Sequence, residues 1–381
     1  MKDYKNLFSK SLADNPLHFA AHSHHLWPDA SEVAQARYWQ DSAKLADLKW
    51  EKIFCETIPA AQAHAARHLR LPDPASIAFA PNTHELVNRI LSALPACPRI
   101  LTTDSEFYSF TRQIARLEED GLASVTRIAA EPFSDFPQRF AAEAAKGGHD
   151  LVFFSHVFFN SGYAVPDLSA IVRAVADEKT FIVIDGYHGF MALPTDLSAI
   201  AARAFYLAGG YKYAMAGEGS CFLHCPPGYG ARPRNTGWFA ALESLGDMDG
   251  ASVPYAANGT RFWGATFDPS GLYRLNAVMD MMQAHGLTAE IIHRHVMDLQ
   301  DYFMERIPAA PGRLVTPVGS RTRGHFLTYE REDAGEICKT LLERGIVTDH
   351  RGPRLRFGFG IYHDKGDIDQ IIKSLTGTPL R

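Results

Sequence analysis

The run Phe181-Ile-Val-Ile-Asp185-Gly-Tyr-His188, followed by Phe205-Tyr-Leu-Ala-Gly-Gly-Tyr-Lys212-Tyr, decides how this chain reads. Four apolar residues leading into an acid describe a strand buried on both faces. Its acid stands at the carboxyl end, where open α/β sheets bind ligands. A second apolar strand stops just short of Lys212, and Gly209-Gly210 between them permit sharp turning and close backbone approach. An acid and a lysine at neighbouring strand ends suit a Schiff-base lysine facing a pyridine ring whose nitrogen the aspartate keeps protonated.

Outward from that pair, short apolar runs alternate with helical patterns. Capping residues and helix formers predict helices within 29–70. Strands are predicted at 76–80, 99–103, 123–128, 151–155, 180–184, 204–207 and 219–224, and helices at 83–94, 111–120, 137–145 and 168–177. Such alternation points to βαβ units, so the fold is predicted to be α/β, with a doubly wound, mostly parallel sheet. The stretch 226–270 is rich in Gly, Pro and aromatics without clean periodicity, which marks a functional loop region or an interface. A helical pattern over 271–304 predicts one long connecting helix. After it, 324–328, 334–344, 355–359 and 367–375 read β-α-β-α, a smaller C-terminal α+β unit. The domains are accordingly placed at 1–45, an N-terminal segment associated with the small unit, 46–270, the large α/β domain, and 271–381, the small C-terminal domain.

A chain of 381 residues is long for one core and fits two lobes. Its 46% hydrophobic and 21% charged residues describe a globular chain able to bury a sizeable core. A formal net charge of -5 without a long basic stretch argues against nucleic acid and anionic membrane as partners, and for a small-molecule substrate. The start Met1-Lys-Asp-Tyr-Lys has no apolar signal core, and no later run approaches a membrane span, so a cytoplasmic protein is expected. Five cysteines argue against a secreted disulfide framework. Cys221, His224 and Cys225 have no second ligand pair downstream, so burial beside a strand is expected there rather than a metal.

In Ala80-Pro-Asn-Thr83-His84 a strand turns into a helix. Unpaired amides at that start, with the Thr83 hydroxyl, would hold a phosphate, although Thr83 equally suits a plain helix cap. Phe107 follows the strand 99–103 and is placed either to stack on a flat ring or to pack. In Arg351-Gly-Pro-Arg354-Leu-Arg356-Phe, Arg354 and Arg356 share one strand face, and Leu355 and Phe357 the other. These arginines suit bidentate capture of a substrate carboxylate, or are the solvated charges of an edge strand. His22, His24 and His25 on an extended segment point in different directions and read as a substrate-side loop.

Together these residues resemble the class V branch of fold-type I pyridoxal-phosphate enzymes, and most of all the kynureninase family. The resemblance runs from Leu17-His-Phe-Ala-Ala-His-Ser23 to Arg356-Phe-Gly. Its most specific parts are Asp185-Gly-Tyr-His188, Gly210-Tyr-Lys212-Tyr, Gly237-Trp238 and the segment 349–358. It implies that Lys212 holds pyridoxal 5'-phosphate as an internal aldimine, that Asp185 pairs with the pyridinium nitrogen, and that His188 lies near the ring's hydroxyl side. Thr83, His84, Ser155, Tyr211 and Trp238 would contact the phosphate or its surroundings, and Phe107 would stack on the ring. Thr266 matches the position from which the family reaches across a homodimer interface to the partner's phosphate. Arg356 matches the carboxylate-binding arginine, with His22 and Ser23 on the substrate side. The chain departs from the family in having Tyr108-Ser109-Phe110 after Phe107, where a proline, a threonine and an aspartate are usual. It also has Phe239 in place of a second tryptophan, and Thr266 in place of an asparagine. These departures leave the cofactor set intact and the substrate side chain open.

Two reactions fit that resemblance. In kynureninase-like hydrolysis Lys212 moves the α-proton, water adds to the γ-carbonyl and the Cβ–Cγ bond breaks, releasing alanine. A class V aminotransferase would use the same lysine to carry a proton between Cα and the cofactor's C4′, and would need a keto acid acceptor. A cysteine desulfurase needs a mobile nucleophilic cysteine shortly before the substrate arginine. Between Arg321 and Arg356 only Cys338 is available, within a helical pattern. A non-catalytic binding module is disfavoured by the presence of both Asp185 and Lys212.

Overall fold

The computed structural model describes residues 4–15, 17–247, 252–307 and 311–376. Its centre is a seven-stranded sheet made of β1 (Ile77–Ala80), β2 (Arg99–Thr103), β3 (Ser124–Ile128), β4 (Leu151–Ser155), β5 (Phe181–Asp185), β6 (Ala204–Ala208) and β7 (Cys221–His224). Their spatial order is β1-β7-β6-β5-β4-β2-β3. All neighbours are parallel except β7, which runs antiparallel to both β1 and β6. Every residue of β4, β6 and β7 is buried, which is why these strands read as unbroken apolar runs. The predicted doubly wound α/β core is therefore present. Its helices bury one stripe each: on the helix Tyr108–Glu119, Phe110 and Ile114 face inward. Phe110 stacks on Phe153 of β4 at 3.6 Å, and such ring pairs add about 0.5–1.5 kcal/mol beyond the area they bury.

The predicted single helix over 271–304 is two helices, Ser270–Ala284 and Ala289–Arg306. Gly286 between them is in the left-handed region at φ 64°, and the Thr288 hydroxyl accepts the Ile291 amide to start the second helix. The hydrophobic period continues across the break, so periodicity alone merged the two. A four-stranded sheet follows, including β8 (Phe326–Glu330), β9 (Asp349–Arg351) and β10 (Arg354–Gly358). β10 is an interior strand, antiparallel to β8 on one side and β9 on the other. The solvated edge-strand reading of its arginines is thus set aside. Leu355 and Phe357 are buried on one face and Arg356 on the other, as the alternation predicts.

The N-terminal segment is stitched to both parts of the molecule. Leu17–His18 pairs in parallel with Ile346–Val347, and the Gly358 amide donates to the Phe19 carbonyl at 2.7 Å. Seven residues after His18, the His25 amide donates to the carbonyl of Tyr211, beside Lys212. Residues 20–25 are therefore held over the carboxyl ends of β5 and β6. The first three residues, at which the chain was expected to be polar, lie outside the described residues. Among the described residues, no helix is long and apolar enough to cross a membrane.

Candidate active site

The carboxyl ends of β4, β5 and β6 carry Ser155, Asp185 and, after a loop, Lys212. Ser155 stands opposite Asp185, and Asp185 opposite Leu207, in parallel register. The chain reaches Lys212 through Gly209-Gly210. Neither glycine has a positive φ, so their use is close approach rather than sharp turning. A Cβ on Gly209 would lie 2.4 Å from the Tyr187 hydroxyl, and one on Gly210 2.0 Å from Ser220 Oγ. Lys212 is buried, with Nζ 2.9 Å from His188 Nε2 and facing the rings of Phe107, Tyr187 and Tyr211 at 5.4, 4.9 and 5.4 Å. Burial lowers its pKa, against the opposing pull of Asp185, and Arg356 lowers it further. A lysine so placed carries a larger share of the neutral, nucleophilic amine than an exposed one.

Asp185 Oδ1 accepts the Tyr187 amide at 2.9 Å. Burial raises its pKa, and that amide and Lys212 pull it back. The residue keeps partial accessibility. His188 is buried and its pKa is pushed well down, first by burial and then by Lys212 and Arg356, so the ring is neutral and can share a proton with Lys212 Nζ.

Across the cleft lies β10. Arg356 is 2% exposed. Its Nη1 donates to the Phe159 carbonyl and its Nη2 to Asp349 Oδ2 at 2.7 Å, while its buried Nε has no partner among the described residues. Asp349 also receives Arg351 Nη1 at 2.9 Å, so one carboxylate serves two guanidinium groups and a positive charge is left over for a substrate anion. Arg354 is turned away to Glu131, at 2.7 Å, and the Asn160 carbonyl. His22 is fully buried, stacked on Phe326 at 4.6 Å, and neither ring nitrogen has a hydrogen-bond partner among the described residues. Its Nε2 is 3.9 Å from Asp349 Oδ2. Gly358 makes room for it, since a Cβ there would stand 2.1 Å from His22 Nδ1. Burial, then Arg356, pushes the His22 pKa well down, which leaves a neutral imidazole. A cavity of about 70 Å³ joins His22, Ser23, Lys212, His188, Arg351 and Arg356, with Phe107, Phe159, Tyr211 and His24 on its walls. His24 stacks on Tyr211 at 5.0 Å, whereas His25 turns inward onto Tyr362.

The remaining expected residues are more dispersed. The cap of the helix Thr83–Ala93 is Asn82, which accepts the Glu85 amide, not Thr83. The Thr83 hydroxyl is thereby spared the capping role, and the exposed His84 stands next to it beside Ser109 and Arg112. Trp238 is 46% exposed and donates from Nε1 to Thr266 Oγ1 at 3.1 Å, which joins these two expected residues to each other. Phe239 is buried against Trp50, Phe54 and Trp263, so it serves the core. Ser155 is spoken for by Glu106, an acid that the sequence reading passed over. Also passed over were Asp349, which anchors both arginines, and Phe159, whose carbonyl holds Arg356. Asp349 could have been found from its place within alternating reach of Arg351; the Phe159 contact carries no local signal. Cys221 and Cys225 are buried, as expected, and the Tyr187 hydroxyl lies 3.4 Å from Cys221 Sγ.

The kynureninase C-terminal domain family matches residues 292–375, the segment that contains Arg356. A kynureninase of Deinococcus radiodurans is 27% identical over 289 residues, covering 73% of this chain and 67% of that protein. One from Burkholderia mallei is 26% identical over 270 residues, covering 67% of this chain and 60% of that protein. Among solved structures, a C-DES mutant with glycine covalently linked to its PLP cofactor superposes with a TM-score of 0.82 at 17% identity, over 99% of this chain and 100% of that one. The cysteine desulfurase CsdA of Escherichia coli gives 0.80 at 16%, over 98% and 96%. This chain has the fold of the fold-type I pyridoxal-phosphate enzymes, and its sequence is similar to that of kynureninases. Its residues fit the cofactor of that class. Asp185 accepts one hydrogen bond among the described residues and has an oxygen to spare for a protonated ring nitrogen, Lys212 supplies a buried amine, and Phe107 a flat face toward that amine.

Proposed function

We propose that this chain is a class V pyridoxal-phosphate enzyme that acts on a small amino acid by kynureninase-like hydrolytic cleavage of the Cβ–Cγ bond. One observation carries the reading: Lys212 and Arg356, whose Nε has no partner among the described residues, line the same cavity, and Arg356 lies inside the segment matched by the kynureninase C-terminal domain. When bound, pyridoxal phosphate supplies an electron sink for the negative charge that develops at the substrate's Cα. Asp185 would sit against the ring nitrogen and keep it protonated. Lys212 Nζ takes and returns the α-proton, and His188 Nε2, at 2.9 Å, steadies the amine between those steps. Arg356 receives the α-carboxylate, Ser23 and His22 border the substrate, and Phe107 and Tyr211 wall the ring. Thr83, His84 and Trp238 are assigned to the phosphate and its surroundings. The exposed Trp238 and its partner Thr266 suggest a homodimer in which the partner's phosphate is met by Thr266. In this reading 46–270 binds the cofactor and 271–381, with 1–45, closes the substrate side.

The alternative is a class V aminotransferase, which the departure at Tyr108 favours, because Tyr108 packs on Phe159 of the cavity wall and so alters the surroundings of an aryl substrate. A desulfurase is the weaker reading. No cysteine lines the cavity, and Cys338 sits in the helix Ala334–Glu343 with the Thr348 hydroxyl on its sulfur. Holoenzyme incubated with kynurenine, 3-hydroxykynurenine and a panel of amino acids, and analysed by mass spectrometry, separates the two reactions. Alanine released without any keto acid is the expected result. An absolute requirement for a keto acid would replace the hydrolase by the transaminase.

A further inference from the structure

Beneath the cavity lies a carboxyl group to which the proposed reaction gives no role. Glu106, 3% exposed, precedes Phe107 and makes three hydrogen bonds: Oε1 with Thr103 Oγ1 at 2.7 Å and the Ser155 amide at 3.2 Å, and Oε2 with Ser155 Oγ at 2.5 Å. These contacts tie the ends of β2 and β4 to the turn that presents Phe107. Glu106 has no ion pair among the described residues. A buried carboxylate without a cation costs several kcal/mol, whereas the protonated acid can accept at Oε1 and donate from Oε2, which suits both of its neighbours. Ser155 is also the register partner of Asp185, so the two acids lie side by side under the cleft and compete for one charge.

We propose that Glu106 is a positioning residue of the cofactor site: as an uncharged carboxylic acid it locks the turn carrying Phe107 and leaves the floor's negative charge to Asp185. Burial raises the Glu106 pKa to about 8, and the Asp185 charge adds to that rise. The other titratable groups around it are Asp104 and Tyr108, and Arg351 and Arg354, which line an outer cavity of about 300 Å³ with it. Neither arginine forms an ion pair with Glu106 among the described residues, since Arg351 lies on Asp349 and Arg354 on Glu131. The cofactor part of the inference rests on the function proposed above; the protonation part does not.

The sign of the pH effect follows from the raised pKa. Between the ordinary carboxyl value near 4.5 and about 8, the folded protein binds the proton that the unfolded chain has released. The stability this gives is complete below pH 4.5 and is lost as pH rises through 8. Glu106→Gln keeps the same acceptor and donor geometry but cannot ionise. Its Tm relative to wild type should therefore rise between pH 5 and 8.5, by roughly 5 °C. 13C NMR of the full chain with carboxyl-labelled glutamate should show one group titrating near pH 8, absent in Glu106→Gln. Titration with pyridoxal phosphate, followed by absorbance, should give Glu106→Gln a dissociation constant within about twofold of wild type and Glu106→Ala one raised about tenfold. A Tm difference independent of pH, or an NMR titration at the ordinary carboxylate value, would overturn the uncharged acid. An ionised Glu106 would also be revealed by a large loss of cofactor affinity in Glu106→Gln. If wild type fails to bind the cofactor while the NMR and Tm results hold, the function falls and the uncharged Glu106 stands.

Discussion

Asp185→Asn is expected to keep pyridoxal phosphate bound and to lose about a thousandfold in turnover, the upper end for removing one preorganised electrostatic contact. Asparagine has the same shape and can still accept the Tyr187 amide that now holds Asp185 Oδ1 at 2.9 Å. What it lacks is the charge. The site's other carboxylates do not replace it, because Asp349 is committed to Arg351 and Arg356. An uncharged partner leaves the ring nitrogen unprotonated for most of the time, and the negative charge developing at Cα then has a weaker sink. Steady-state kinetics at full cofactor occupancy, verified by absorbance, make the check. Near-normal turnover in that variant would remove Asp185 from this role.

Arg356→Lys should cut kcat/KM by roughly thirtyfold or more, since losing one partner of a buried, hydrogen-bonded charge pair costs about 2–5 kcal/mol. Two arms of the guanidinium already hold the Phe159 carbonyl and Asp349, which leaves the Nε edge for the substrate. A lysine at this position supplies a charge but not the planar fork that meets both protein partners and a carboxylate at once. Arg354, bound to Glu131 and the Asn160 carbonyl, should tolerate the same change with a much smaller loss. Unchanged kinetics in Arg356→Lys, together with lost substrate binding in Arg351→Lys or Arg354→Lys, would move the carboxylate site along the hairpin.

The strand ends were readable because strands covered on both faces must be apolar throughout, so an acid or lysine at the end of such a run stands out. Asp185, Lys212 and the face of Arg356 belong to that class. Other parts depend on contacts between distant segments and leave no local trace. Glu106 looks like an ordinary loop acid until β4 brings Ser155 against it. The buried state of Arg356 depends on β9 and β8 flanking its strand, and no periodicity in 354–358 distinguishes an interior strand from an edge. The break at Gly286 was hidden because the apolar stripe resumes in phase after it. The cap at Asn82 rather than Thr83 is a one-residue shift between two good capping residues, a distinction that only backbone geometry makes.

Reduction of the purified holoenzyme with borohydride, followed by peptide mapping, tests the central claim most directly. The pyridoxyl group is expected on Lys212, the buried amine that lies 2.9 Å from His188 and faces Phe107. Recovery of the label on any other lysine, or none in a protein saturated with cofactor, would contradict the assignment of this cleft as the active site.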